Sequence, residues 1–108
     1  MNKTAVALQA LFSRIPRRHS LENVKEMYDI LDEYEHALIG IEAINSFYEK
    51  NIPVYFDELE NVRATIKKST DNKASKKMKD SLFDEGSGYL KDSMQKLMQI
   101  YGDGSREA

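Results

Sequence analysis

The longest regular pattern in the chain lies between residues 20 and 50, which read SLENVKEMYDILDEYEHALIGIEAINSFYEK. Apolar side chains recur there at alternating steps of three and four residues, interrupted once by a polar side chain, Asn45. The members of this row are Val24, Met27, Leu31, Tyr34, Leu38, Ile41, Asn45 and Tyr48. Such spacing is a heptad seam on an α-helix. A bordering row of Ile30, Ala37 and Ile44 widens the apolar stripe, as in a bundle of several helices. We therefore predict one long helix over residues 20–50, opened by Ser20 as its N-cap.

Prolines and short polar stretches divide the rest of the chain. A short helix over residues 4–15 is predicted to end at Pro16, because the residue before a proline avoids helical geometry, and residues 16–19 form a linker. Pro53 is suited to the first turn of the next helix, residues 53–70. A last helix over residues 73–101 is predicted to continue through Gly86-Ser87-Gly88, since its apolar row keeps its phase there. The sequence therefore predicts one all-α domain over residues 1–101, a small bundle with a helical hairpin return, and a disordered tail over 102–108.

Composition excludes several classes of function. The 108 residues include no Cys and two His, which excludes disulfides, thiolate metal sites and thiol catalysis. No apolar run approaches the roughly 18–20 residues that span a bilayer, so we predict no membrane span and a cytoplasmic location. No phosphate-binding glycine loop or acid–base constellation is recognisable. We predict no catalysis, no metal and no cofactor.

The charge is distributed in blocks. Residues 22–60 carry eleven carboxylates against two lysines, while residues 61–79 carry seven cations against one carboxylate, and residues 1–21 carry four cations and no acid. We expect the acidic and basic helices to lie side by side. The basic segment consists of Lys67, Lys68, Lys73, Lys76, Lys77 and Lys79. As an alternative to pairing within the chain, this basic segment could bind nucleic-acid phosphates without sequence specificity. Nucleic acid is not the expected partner, because lysines on one helix would spread around its axis.

From about residue 36 the long helix is apolar on its outward face as well. This second stripe consists of His36, Ile39, Gly40, Ala43 and Phe47. A helix that is apolar all round must be covered all round, by the N-terminal helix, a second copy or another protein. We predict a partner-binding surface formed by Ile39, Gly40, Ala43, Phe47, Asn45 and Tyr48. Asn45 either fixes the register between two copies or is satisfied inside a monomer. The expected function is a non-enzymatic protein–protein interaction module of the adaptor, chaperone or inhibitor type, acting as a homodimer.

One alternative rests on a short motif. The run His36-Ala37-Leu38-Ile39-Gly40 resembles the His-x-x-Lys-Gly motif of histidine-phosphotransfer proteins, which place it on a helix of a small bundle. The resemblance implies a phosphoryl relay through His36. Ile39 stands where that family has its Lys, and Glu33 and Glu35 bring negative charge close to the histidine.

Overall fold

The computed structural model describes residues 3–101, which form five α-helices and contain no strand. The helices are α1 (Lys3–Arg14), α2 (Leu21–Glu42), α3 (Ser46–Asn51), α4 (Pro53–Ser69) and α5 (Lys76–Tyr101). The predicted all-α bundle is confirmed. Three helices lie within a few residues of their predicted bounds, and α5 runs without a break through its two glycines. The tail predicted over 102–108 lies outside the described residues.

The single helix predicted over residues 20–50 is wrong after residue 42. Ser20 caps α2 as predicted, but α2 ends at Glu42. Asn45 has an extended backbone, φ −163° and ψ 179°, and its side-chain oxygen accepts a hydrogen bond from the backbone N–H of Tyr48 at 3.1 Å. Asn45 is therefore the N-cap of α3 and not a member of a continuous seam. The physical reason is that a short amide side chain binds the orphan N–H groups of a helix start better than it fills an apolar seam.

The capping role of Asn45 can be separated from a seam role by Asn45→Leu. In a continuous heptad seam, leucine would stabilise the fold; at an N-cap it removes a hydrogen bond. We expect Asn45→Leu to lower the free energy of unfolding by about 1 kcal/mol. Chemical denaturation measures the change, with the neighbouring Ser46→Ala as the control. A more stable Asn45→Leu variant would contradict the observed end of α2.

Helices α4 and α5 form an antiparallel hairpin with the most extensive helix–helix contact in the fold, α2 lies against α4, and α1 lies against α2 and α5. Gly86 permits the close approach of α4 and α5, because a Cβ placed on it would lie 2.7 Å from Cδ1 of the fully buried Ile66. Gly88 is exposed, and a Cβ there would meet nothing within 4 Å. The two glycines of one helix therefore have different physical roles.

Alanine substitution distinguishes these two glycines. Gly88→Ala is expected to stabilise the fold by about 0.5–1 kcal/mol, which is the usual gain in a helix interior. Gly86→Ala makes the same gain in helix propensity but forces the packed core around Ile66 to shift, at a cost of about 1–3 kcal/mol. In urea unfolding, Gly88→Ala should have a higher free energy of unfolding than Gly86→Ala. The reverse order would show that the α4–α5 spacing is not set by Gly86.

A buried pair of hydroxyl groups joins α2 to α5. The hydroxyl groups of Tyr34 and Ser93 lie 3.1 Å apart, and both side chains are almost completely buried. Burial raises the pKa of the Tyr34 hydroxyl, and the hydrogen bond with Ser93 opposes that rise without cancelling it. Tyr34 therefore stays protonated in the folded chain at pH values where an unfolded tyrosine ionises.

This raised pKa makes folding stability depend on alkaline pH. The unfolded chain releases the Tyr34 proton near pH 10 and the folded chain only at higher pH, so stability is lost as the pH rises above about 10. Tyr34→Phe should cost about 1 kcal/mol at neutral pH, through the lost hydrogen bond, but should flatten the alkaline decline. Thermal unfolding between neutral and alkaline pH tests this. Parallel pH profiles for the variant and the parent chain would contradict the assignment.

Candidate interaction surfaces

Two arginines pair with the carboxylates of α2. From α4, Arg63 contacts Asp32 at 3.0 Å and Glu35 at 2.6 Å, as well as Glu60 on its own helix at 3.1 Å. Burial opposes the charge on Arg63, but these hydrogen bonds outweigh it and raise its pKa above the ordinary value. The guanidinium therefore ties α2 to α4.

The second arginine reaches α2 from the other side. Arg14, at the end of α1, contacts Glu26 and also Glu33, the latter at 2.9 Å. The lysines of the basic segment form no ion pair in the described part of the chain, since its cross-helix pairs involve Arg14, Arg63 and Lys96. The acidic helix α2 does lie against α4, whose second half carries Arg63, Lys67 and Lys68, as the charge blocks predict. The ion pairs with α2 are made by two arginines, one from α1 and one from α4, because each projects toward a flank of α2.

An apolar surface remains at the C-terminal end of α2. We define the apolar end surface as Ile39, Gly40, Ala43 and Ile44. Ile39 is 52% exposed and Ile44 44% exposed, and Gly40 and Ala43 are also exposed. Helix α1 lies on another side of α2, beside Glu33 and Ala37, and leaves Ile39 uncovered. The N-terminal helix α1 therefore does not cover this outward face of α2, which leaves a second copy or another protein as the candidate.

The remaining members of the predicted partner-binding surface lie elsewhere. Phe47 is on α3, where it is half-buried against the core with its ring 5.2 Å from that of Tyr48. Tyr48 is completely buried, and its hydroxyl donates to the carbonyl of Tyr101 at 3.4 Å. Tyr48 belongs to the core of the single chain and Asn45 is a helix cap, so placing these two on a free surface was wrong. The break after Glu42 is the reason, because it turns α3 back toward the end of α5.

Ile44, like Asn45 and Tyr48, lies in a different environment from the predicted one. Its spacing predicts a place in the apolar stripe of the long helix, yet it lies in the turn between α2 and α3 and is substantially exposed. The cap-forming Asn45 immediately after it is the sequence signal that marks a turn at this point.

His36 is exposed at a groove of about 530 Å³ between α1 and α2. Three charged side chains, Lys3, Arg14 and Glu33, line this groove together with His36. Arg14 is occupied by Glu26 and Glu33, so in the described part of the groove Lys3 is the cation without an ion pair. The motif therefore lies on an accessible helix face, but the charge around it is mixed. No group of three His, Asp or Glu side chains in residues 3–101 is arranged to hold a metal ion.

The basic segment is gathered at one end of the molecule. Lys67 and Lys68 are in the last turn of α4, Lys73 is in the connecting loop, and the other three are at the start of α5. These lysines therefore lie close together at the tip of the α4–α5 hairpin. On a single continuous helix they would point in different directions around its axis. The sequence-based objection to a basic patch does not hold for this hairpin.

The linker between α1 and α2 joins the same end. Arg17, Arg18 and His19 line a depression of about 460 Å³ together with Lys76, Asp80 and Asp84 of α5. Two contacts fix the linker to α5. The Ser87 hydroxyl donates to the Pro16 carbonyl at 2.7 Å, and the His19 ring lies edge-on to Phe83 with centroids 5.9 Å apart. The sequence shows a basic block in residues 1–21 and another in residues 61–79. Their proximity could not be predicted from it, because it depends on tertiary contacts.

Comparisons with protein-family models, curated proteins and solved structures found no match to this chain. None of the helices in residues 3–101 combines the length and the apolar character needed to cross a bilayer.

Proposed function

We propose that this protein is a non-enzymatic interaction module, of the adaptor, chaperone or inhibitor type, that self-associates through the apolar end surface. The observation that supports this most strongly is the neighbourhood of Gly40. Ile39 beside it is half-exposed, Ala43 one turn further on is exposed, and a Cβ on Gly40 would meet nothing within 4 Å in the part of the chain that the structure describes.

Within residues 3–101, no side chain packs closely enough against Gly40 to require a glycine there. A glycine in a helix interior costs about 1 kcal/mol relative to alanine, and here the open space around it would accommodate a larger side chain. Bare backbone next to an exposed isoleucine is suited to the close approach of a second helix. The cost of the glycine is then offset in the associated state.

The occupant that fits this surface best is a second copy of the chain. In a two-fold dimer each surface packs against itself, so its rim must be complementary to itself. Glu49 and Lys50 are adjacent exposed side chains of opposite charge on α3, close in sequence to the apolar end surface. Across a two-fold axis, each carboxylate can face a lysine of the other copy. Such a contact places Ile39 and Ala43 at its centre and charges at its edge.

The proposal is tested by Ile39→Asp in the full chain. A buried carboxylate at the centre of the contact should weaken self-association at least about tenfold while leaving the helical signal unchanged. Sedimentation at several protein concentrations measures association, and circular dichroism measures helicity. Val6→Asp is the matched control, because Val6 is 51% exposed on α1 and lies outside the apolar end surface.

Gly40→Ala gives a second, independent readout. It should raise the unfolding free energy of the monomer by about 0.5–1 kcal/mol and still weaken association, because the added methyl group lies in the contact. Gly88→Ala should stabilise the fold without changing association. A chain that remains monomeric at high concentration, or an Ile39→Asp variant that loses its helicity, would contradict the proposal.

A further inference from the structure

The hairpin tip and the α1–α2 linker together form a strongly cationic end of the molecule. We define the basic end by its eight cations. They are Arg17, Arg18, Lys67, Lys68, Lys73, Lys76, Lys77 and Lys79. The carboxylates in the same region are four, Glu22, Asp71, Asp80 and Asp84, so the cations exceed them by four. None of the eight cations forms an ion pair in the described part of the chain, and all except the half-buried Lys79 are exposed.

Two large apolar side chains also project from this end. Leu21 is 82% exposed, which is the highest value among the large hydrophobic side chains of residues 3–101, and Met78 is 56% exposed. Leu21 follows the linker arginines at the first position of α2, and Met78 lies between Lys77 and Lys79 in the first turns of α5. Neither belongs to the buried face of its helix. The basic end therefore combines cations with protruding aliphatic side chains.

This combination fits one class of partner better than the others. Cations placed around exposed aliphatic side chains match a bilayer surface, where anionic headgroups overlie hydrocarbon. Single-stranded nucleic acids are held largely by stacking on aromatic rings. Among the described residues at this end, the His19 ring is half-buried and packed against the buried Phe83 ring, so neither of these two rings is presented for stacking.

We propose that the basic end binds peripherally to anionic phospholipid surfaces, with its cations at the headgroups and Leu21 and Met78 entering the interface. The surface is held in place before binding, because the linker is fixed to α5 through Ser87 and His19. Repulsion from the acidic helix is reduced, since Arg14 pairs with Glu26 and Glu33 and Arg63 pairs with Asp32 and Glu35. Asp80 and Asp84 lie in the same depression as the arginines, so binding should be weak and sensitive to salt.

The basic end lies away from the apolar end surface. Tyr34 of α2 meets Ser93 of α5 and His19 meets Phe83, so these two helices run in the same direction. The hairpin tip at the start of α5 therefore lies beside the start of α2, and the apolar end surface lies at the other end of a molecule 47 Å long. Lipid binding does not depend on self-association, and either could fail without the other.

The test is co-sedimentation of the full chain with vesicles of phosphatidylcholine alone or with about one-third phosphatidylserine. We expect binding to the anionic vesicles only, and release at high salt. Arg17→Glu/Arg18→Glu and Lys76→Glu/Lys77→Glu should each weaken binding more than about tenfold, given about fivefold for each cation near the surface. Lys3→Glu/Lys91→Glu changes the net charge equally, outside both the basic end and the self-association contact, and should leave binding within about twofold.

The apolar contribution is tested with Leu21→Ser/Met78→Ser, which should weaken vesicle binding about tenfold at unchanged charge. Val54→Ser is the control, because Val54 is 53% exposed at the start of α4, outside the basic end. Circular dichroism checks each variant, and Arg17→Gln/Arg18→Gln replaces the glutamate pair if that variant loses helicity.

Three results would overturn the proposal. The first is no difference between anionic and neutral vesicles, and the second is an equal loss of binding in Lys3→Glu/Lys91→Glu. The third is binding of a single-stranded oligonucleotide that depends on the same cations but is unaffected by Leu21→Ser/Met78→Ser, with no vesicle binding. That result would make the basic end a nucleic-acid site.

Discussion

The end of α2 at Glu42, fixed by the cap that Asn45 provides for α3, is the constraint on which the rest of the structure depends. The turn lets Tyr48 pack beneath the end of α5 and sends α4 back along α2. Because α4 returns in the opposite direction, Arg63 reaches the middle of α2 and the lysine-rich hairpin tip arrives at its beginning. If α2 continued straight through residue 50, α4 would be displaced along it. Arg63 would then not reach the middle of α2, and the hairpin tip would not lie beside its beginning.

The positions of the charged side chains in the fold therefore depend on the helix topology as well as on the sequence. The two arginines that contact α2 come from helices on its two flanks, and each binds two of its carboxylates. Individually, such partly exposed pairs contribute little to stability. Their main consequence is that the lysines of the hairpin tip are not used for internal pairing. One end of the molecule is left cationic, and the other carries an exposed apolar surface beside Gly40.

Local signals in the sequence were sufficient for most of the helices. Pro16 and Pro53 mark real boundaries, and the unbroken apolar phase around Gly86 correctly predicted a continuous α5. The same periodicity misled at Asn45, because the steps of three and four persist through Tyr48 although the helix does not. Tyr48 reaches the core from the separate short helix α3. The three-and-four spacing of buried residues therefore continues past the end of α2. Ile39, Gly40 and Ala43 were correctly placed on an outward face, but the meeting of Arg17 and Arg18 with Lys76 depends on contacts distant in sequence.

The most direct test of the reversal at residues 43–45 is a distance between spin labels on Asp29 and Lys50, both of which are exposed. A straight helix would separate the two Cα atoms by roughly 31 Å, at 1.5 Å per residue. The observed turn predicts a clearly shorter distance with a single narrow distribution. A distribution centred near the straight-helix value would show that α2 continues through Asn45, and the positions of both proposed surfaces would then be wrong.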